Sequence, residues 1–264
     1  MPYAQVNGIN LYYEVHGEGY PVVMISGLGS QGQSWDTQVP IYSKDYKVIV
    51  FDNRGAGKSD KPKSPYSTEG MADDTAALMD ALSIEQAHIV GKSMGGMIAQ
   101  WLAIKHPERV GKLVMGCSSG SRDQVGNEIL RMGREIASKA GLRAVWFMAL
   151  HLGYTREYIE MNIDRLNKVS SMLGGDSAEA LEGYIGQSLA CEGHHTLEHL
   201  PKINTPAFVM MGESDQITAP ERTRELSRLI PKAELCVFTG VGHGFWRERQ
   251  QEVDSLVLHF LGKD

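Results

Sequence analysis

Gly91-Lys92-Ser93-Met94-Gly95 is a G-x-S-x-G motif. A serine hydroxyl becomes a useful nucleophile only when a base takes its proton and a third group orients that base. Glycines two residues either side of Ser93 let the chain turn sharply from strand to helix, which lifts the serine clear of the sheet. A glycine-rich turn with an incidental serine would carry the same letters, so the surroundings must discriminate. The apolar run His88-Ile89-Val90 precedes the motif, and Met94 to Ile104, apolar and rich in small residues, follows it. Strand, turn and helix therefore come in the required order. The helix also brings the positive end of its dipole to the serine.

On this kind of scaffold the acid and the histidine must follow the serine in the chain, in that order. Asp215 lies just beyond the apolar run Ala207 to Met211, and His243 lies just beyond Leu235 to Phe238. Both are expected at the sheet edge that carries Ser93, where reactive groups of open α/β sheets gather. Glu213 is the alternative acid. His259 falls off the apolar stripe of the last helix, and His106 before Pro107 reads as a helix cap. His195 and His199 have i,i+4 spacing and His194 is adjacent, but HExxH is absent and Glu192 and Glu198 fit no zinc template. No metal is expected. The developing oxyanion needs backbone donors. Met94 N–H, after the serine, is one candidate, and Leu28 N–H in the loop Ser26-Gly27-Leu28-Gly29-Ser30 is the other.

The elements that must hold these residues are readable. Tyr3–Val6 and Ile9–Val15 flank Asn7-Gly8, a tight-turn pair, and predict an antiparallel hairpin. Val22–Ile25, Val48–Phe51, His88–Val90, Leu113–Met115, Ala207–Met211 and Leu235–Phe238 are short, continuous apolar runs, as in parallel strands buried on both faces. Met71–Leu82, Met94–Ile104 and the stripe Val253, Leu256, Val257, Phe260, Leu261 predict helices between and after them. Strands alternating with helices give an α/β fold. Between about Gly120 and Leu200 the alternation stops, and helical faces such as Ile159/Ile163/Leu166 and Leu181/Ile185/Leu189 predict an all-helical insertion over the sheet.

The 264 residues are 42% hydrophobic and 22% charged, with net charge -6. That balance suits a soluble enzyme acting on a small molecule and disfavours nucleic acid as partner. No run is long and apolar enough for a membrane span. Met1-Pro2-Tyr3-Ala4-Gln5 does not read as a signal peptide. The three scattered cysteines do not read as a disulfide framework, so a reducing, cytoplasmic setting is expected. A homo-oligomer is compatible with all of this.

The triad order, Asp52-Asn53-Arg54-Gly55-Ala56-Gly57-Lys58-Ser59-Asp60 and His106-Pro107-Glu108-Arg109-Val110 together resemble the α/β-hydrolase superfamily over nearly the whole chain. The resemblance is nearest to small esterases, 3-oxoadipate enol-lactonases, meta-cleavage C–C hydrolases and cofactor-free haloperoxidases. It implies an α/β-hydrolase fold, a mostly parallel sheet with an N-terminal antiparallel hairpin and a helical cap. The core would be 1–118 and 202–264, and the cap 119–201. It implies nucleophile Ser93, acid Asp215, base His243 and no cofactor. Many relatives carry His-Gly where this chain has Ser26-Gly27. The expected activity is hydrolysis of a small or medium carboxylic ester or lactone through an acyl-enzyme. C–C bond hydrolysis, perhydrolysis or a non-enzymatic ligand receptor on the same fold are the alternatives. Serine at the turn disfavours dehalogenase and epoxide hydrolase chemistry, which need aspartate there. Trp35, Trp146, Phe147, Met148 and Tyr158, with Met132, Met161 and Met172, are the candidate pocket lining.

Two rival motifs occur. Gly27-Leu28-Gly29-Ser30-Gln31-Gly32 with Asp52 beyond it matches a dinucleotide fingerprint, although Pro40 interrupts the helix that should follow and no Tyr-x-x-x-Lys pair exists. The Gly-Lys-Ser triplets at Gly57 and Gly91 lack the first glycine of a P-loop.

Overall fold

The N-terminal strands meet as Asn7-Gly8 dictates. In the computed structural model, which describes residues 2–172 and 177–262 (for 168–172 the backbone only), β1 (Tyr3–Val6) pairs antiparallel with β2 (Ile9–His16). Asn7 and Gly8 take φ of 47° and 78°, which matches the twist of the flanking strands.

The remaining strands are β3 (Tyr20–Ile25), β4 (Tyr46–Phe51), β5 (Ala87–Lys92), β6 (Val110–Gly116), β7 (Ala207–Gly212) and β8 (Ala233–Phe238). They form one eight-stranded sheet in the order β1-β2-β4-β3-β5-β6-β7-β8. β2 joins β4 antiparallel, and every pair from β4 to β8 is parallel. Alternate side chains of β3 serve two cores. Val23 and Ile25 face one cluster, and Val22 and Met24 face the other. That double burial explains why the strands read as unbroken apolar runs.

Helices α2 (Thr68–Ala81) and α3 (Met94–Lys105) cover the first face. The second is covered by α1 (Val39–Tyr42) and, later in the chain, α8 (Phe245–Glu248) and α9 (Gln250–Leu261). The Ser67 hydroxyl accepts the Gly70 N–H and starts α2, an N-cap. Helix α7 (Pro220–Leu229) lies between β7 and β8. The chain leaves β3 for β4 on one side and β5 for β6 on the other. The switch point between β3 and β5 opens a crevice at their carboxyl ends.

Between β6 and β7 stand α4 (Gln124–Gly153), α5 (Arg156–Met172) and α6 (Ala178–Glu192). Ala137, Leu142, Val145 and Tyr184 form a cluster of their own there. The two connections to the sheet lie side by side: Ser121 bridges His195, and Thr196 N–H donates to Gly120 O. Buried His194 is held between Thr68 Oγ1 (2.8 Å) and Gln100 Oε1 (3.3 Å). Two expected apolar faces are corrected. A break in α5 at Asn162 turns Ile163 outward, and it is 45% exposed. Leu189 is likewise exposed, on the side of α6 opposite the buried Gln187. The Met172 side chain lies outside the described residues.

Candidate active site

Ser93 sits between β5 and α3 with φ 55° and ψ -120°, a conformation that costs a non-glycine residue about 1–3 kcal/mol. Its N–H donates to Gly116 O at 2.8 Å, tying the turn to β6. A Cβ on Gly91 would lie 2.5 Å from the Gly95 carbonyl carbon, and one on Gly95 would lie 2.7 Å from that of Ile25. Both glycines are thus required by close backbone approach.

Asp215 is buried and its carboxylate is fully engaged. Oδ1 accepts the N–H groups of Ile217 (2.8 Å) and Thr218 (2.9 Å), and Oδ2 lies 2.8 Å from His243 Nδ1. Glu213 is exposed, so the histidine's carboxylate partner is Asp215. Arg122 braces the acid loop from behind, donating to Ile217 O and Gly126 O. Burial opposes a charge on His243, but the Asp215 carboxylate, with the Cys117 sulfur beside the ring, raises its pKa above the ordinary imidazole value. No hydrogen bond links Ser93 Oγ to His243 among the described residues. Such bonds commonly tighten only when substrate binds.

The segment after β3 turns tightly: Ser30 N–H donates to Gly27 O at 3.1 Å, and Gly29 takes φ 68°. A Cβ on Gly27 would lie 3.3 Å from Ser93 Cβ, so this turn borders the serine. Leu28 N–H makes no backbone hydrogen bond among the described residues, and Met94 N–H, first in α3, has no intrahelical acceptor. Ser26, in place of the familiar histidine, supports the loop by donating to Gln31 O (2.9 Å), with Ser34 Oγ 3.1 Å away. The dinucleotide reading fails on geometry. Asp52 spends its carboxylate on the N–H groups of Gly32 (2.7 Å) and Lys58 (2.8 Å), and Gly32 opens only a single 3-10 turn, Gly32–Trp35.

The expected pocket residues separate. Trp35 is fully buried, edge-on to Trp246 at 5.4 Å with Lys92 Nζ 4.1 Å over its ring. It belongs to the core beneath the loop, which corrects its place in the lining. Met148 packs into the cluster of the inserted helices. Phe147 lies under exposed Arg143, and Trp146 is half-buried. Tyr158 stacks on Tyr154 at 4.9 Å. Tyr154 packs against Gly244, next to His243, so this pair is nearest the site.

Several residues escaped the sequence reading. Cys117 follows β6 as Ser93 follows β5, a signal its position alone carried. Its φ is 47° and it is buried. Lys92 donates to Ser34 O, and burial together with Arg247 lowers its pKa to about 7. Gln187 on α6 reaches the turn after β3, and no local pattern announced it.

A hydroxyl, an imidazole–carboxylate pair and two backbone donors without a backbone acceptor among the described residues thus stand just beyond the carboxyl ends of β5, β8, β7 and β3. The sequence model of the alpha/beta hydrolase fold family matches residues 20–246, and the chain belongs to that family. It is a hydrolase with a mostly parallel sheet and N-terminal antiparallel strands. It is 30% identical to the 3-oxoadipate enol-lactonase 2 of Acinetobacter baylyi over 75% of this chain and 72% of that one. RutD of Caulobacter segnis, provisionally named a carbamate hydrolase, is 30% identical over 99% of both chains. The crystal structure of an enol-lactonase from Burkholderia xenovorans superposes with a TM-score of 0.92 at 29% identity, covering 99% of this chain and 100% of that one.

Proposed function

We propose that this protein hydrolyses a small or medium carboxylic ester or lactone through an acyl-enzyme on Ser93. The observation that carries the reading is the half-buried, strained Ser93 at a strand end, two strands along the sheet from the strand that leads to Asp215 and three from the one that leads to His243. His243 Nε2 takes the Ser93 proton as Oγ attacks the acyl carbonyl. Asp215 holds Nδ1–H, fixing the tautomer and stabilising the imidazolium. Leu28 and Met94 N–H receive the negative oxygen of the tetrahedral intermediate. That intermediate collapses, and the alkoxide leaves with the proton from His243. Water, deprotonated by the same nitrogen, then attacks the acyl-serine, and the second collapse returns the proton to Ser93 and frees the acid. In a lactone the leaving alkoxide and the acyl group are one molecule, so no alcohol departs before water enters.

Residues 119–201 act as the cap in this reading, with Tyr154 and Tyr158 over the His243 loop. The ester and lactone assignment also draws on the enol-lactonase neighbours. A fluorophosphonate should inactivate ester turnover with one equivalent bound at Ser93. Ser93→Ala should lose at least about 10⁴-fold in kcat. A variant that keeps its turnover sinks the assignment.

A further inference from the structure

Helix α6 carries one polar side chain directly onto the turn after β3. Gln187 is fully buried. Its Oε1 accepts the Gly29 N–H at 2.8 Å, and its Nε2 donates to Arg54 O at 2.7 Å. The two contacts lie 158 and 133 residues away in the chain. A backbone N–H can only donate and a carbonyl can only accept, so the amide has one orientation that satisfies both. One turn of helix earlier, Gly183 lies backbone to backbone on Gly55, and Tyr184 packs against Gly29. Gly186 admits the Tyr66 ring. The helix therefore seats on both loops, backbone on backbone at Gly183 and Gly55, and Gln187 is the fastener.

We propose that Gln187 is a positioning residue for the oxyanion turn, so that seating of the cap and alignment of the Leu28 donor are a single event. This rests on the reading of Leu28 N–H as an oxyanion donor. Two peptide planes meet at Leu28. The plane holding Leu28 N–H also holds Gly27 O, which accepts from Ser30 N–H. The other plane ends in Gly29 N–H, which Gln187 holds. With Gly29 at φ 68° the second plane has the freedom a glycine gives it. Among the described residues Gln187 is the partner that removes that freedom. The Leu28 side chain packs between the main core and the cluster of the inserted helices, so it registers the same seating.

The test uses the full chain with an aryl ester and an alkyl trifluoromethyl ketone, which adds Ser93 Oγ and becomes an oxyanion. Gln187→Met keeps length without either hydrogen bond. It should lower kcat by about 10- to 100-fold, within the loss from a missing oxyanion donor, with KM within about twofold. Ketone affinity should fall by the same factor as kcat. Gln187→Glu keeps an acceptor for Gly29 N–H and should recover part of the lost kcat. A folded Gln187→Met protein with unchanged kcat and ketone affinity overturns the proposal, and so does a loss confined to KM. If that variant does not fold, Gln187→Asn carries the test, because its amide is one methylene too short to span both loops. Unchanged kcat there overturns the proposal equally. Ser93→Ala, measured beside them, separates the two claims. If it keeps its turnover the acyl-enzyme reading fails, and if it is inactive while the Gln187 variants are unaffected only the coupling fails.

Discussion

Adding one methyl group to α6, outside the catalytic constellation, should impair the reaction. At Gly183, a Cβ would lie 2.8 Å from both the carbonyl carbon and the Cα of Gly55, and closer still to the Gly55 oxygen. Ordinary contact begins near 3.4 Å, so the helix must retreat by at least about 0.6 Å. Gln187 stands one turn further along the same face, and its 2.8 Å bond to Gly29 N–H would stretch to about 3.4 Å, past the range of a good N–H···O bond. Misplacing catalytic groups by an ångström can cost about 100-fold. Gly183→Ala should therefore lower kcat/KM for an aryl ester by about 10- to 100-fold. Alanine is also the better helix former by about 1 kcal/mol, so poor helix formation cannot explain a loss. The assay is initial-rate ester hydrolysis, with near-UV circular dichroism to verify the fold. Wild-type kcat/KM in a folded Gly183→Ala protein would refute the argument that α6 must seat on the 54–55 loop.

Three further outcomes follow from the site. Asp215→Asn should cut kcat by about 10⁴-fold, because the amide no longer fixes the histidine tautomer; a loss below tenfold in steady-state rates would contradict the assigned role. The reaction needs neutral His243, and Asp215 stabilises its charged form, so kcat/KM should rise with pH through a pKa above 6.5. Cys117→Ala should move that limb to lower pH, and a limb at or below 6.5 in the parent protein would contradict the electrostatic account. Asp52→Ala leaves the buried Gly32 N–H without its acceptor, a cost of about 1–3 kcal/mol. Urea unfolding measures it, and a change within error would mean that Asp52 does not staple the loop.

What was legible in the sequence is what local chemistry decides. Asn7-Gly8 announced the hairpin, Gly91 and Gly95 the sharp turn, and each apolar run a strand, buried on both faces except in the edge strand β8, where Leu235 is exposed. Ser93, Asp215 and His243 could be named because each stands a few residues beyond such a run. Trp35 was misread because its place depends on Gly32. That glycine packs against the backbone of Phe51 and turns the chain down into the core. Ile163 was misread because a helical wheel assumes an unbroken helix, and Asn162 breaks it. Cys117 and Gln187 left no periodic trace. Their meaning lies in partners brought near by the sheet order and by the docking of α6.

The seating of α6 also bears on how such proteins diversify. Exchanging the inserted helices for those of a relative is an obvious way to import a new substrate preference. Here the same helix that would be exchanged carries Gly183, Gly186 and Gln187, which fit the loops of the receiving sheet. A transplanted insertion lacking that trio would bring a foreign pocket with a slackened catalytic turn. New specificity on this scaffold should come more readily from the α4–α5 side, where Tyr154 and Tyr158 stand, with α6 left in place.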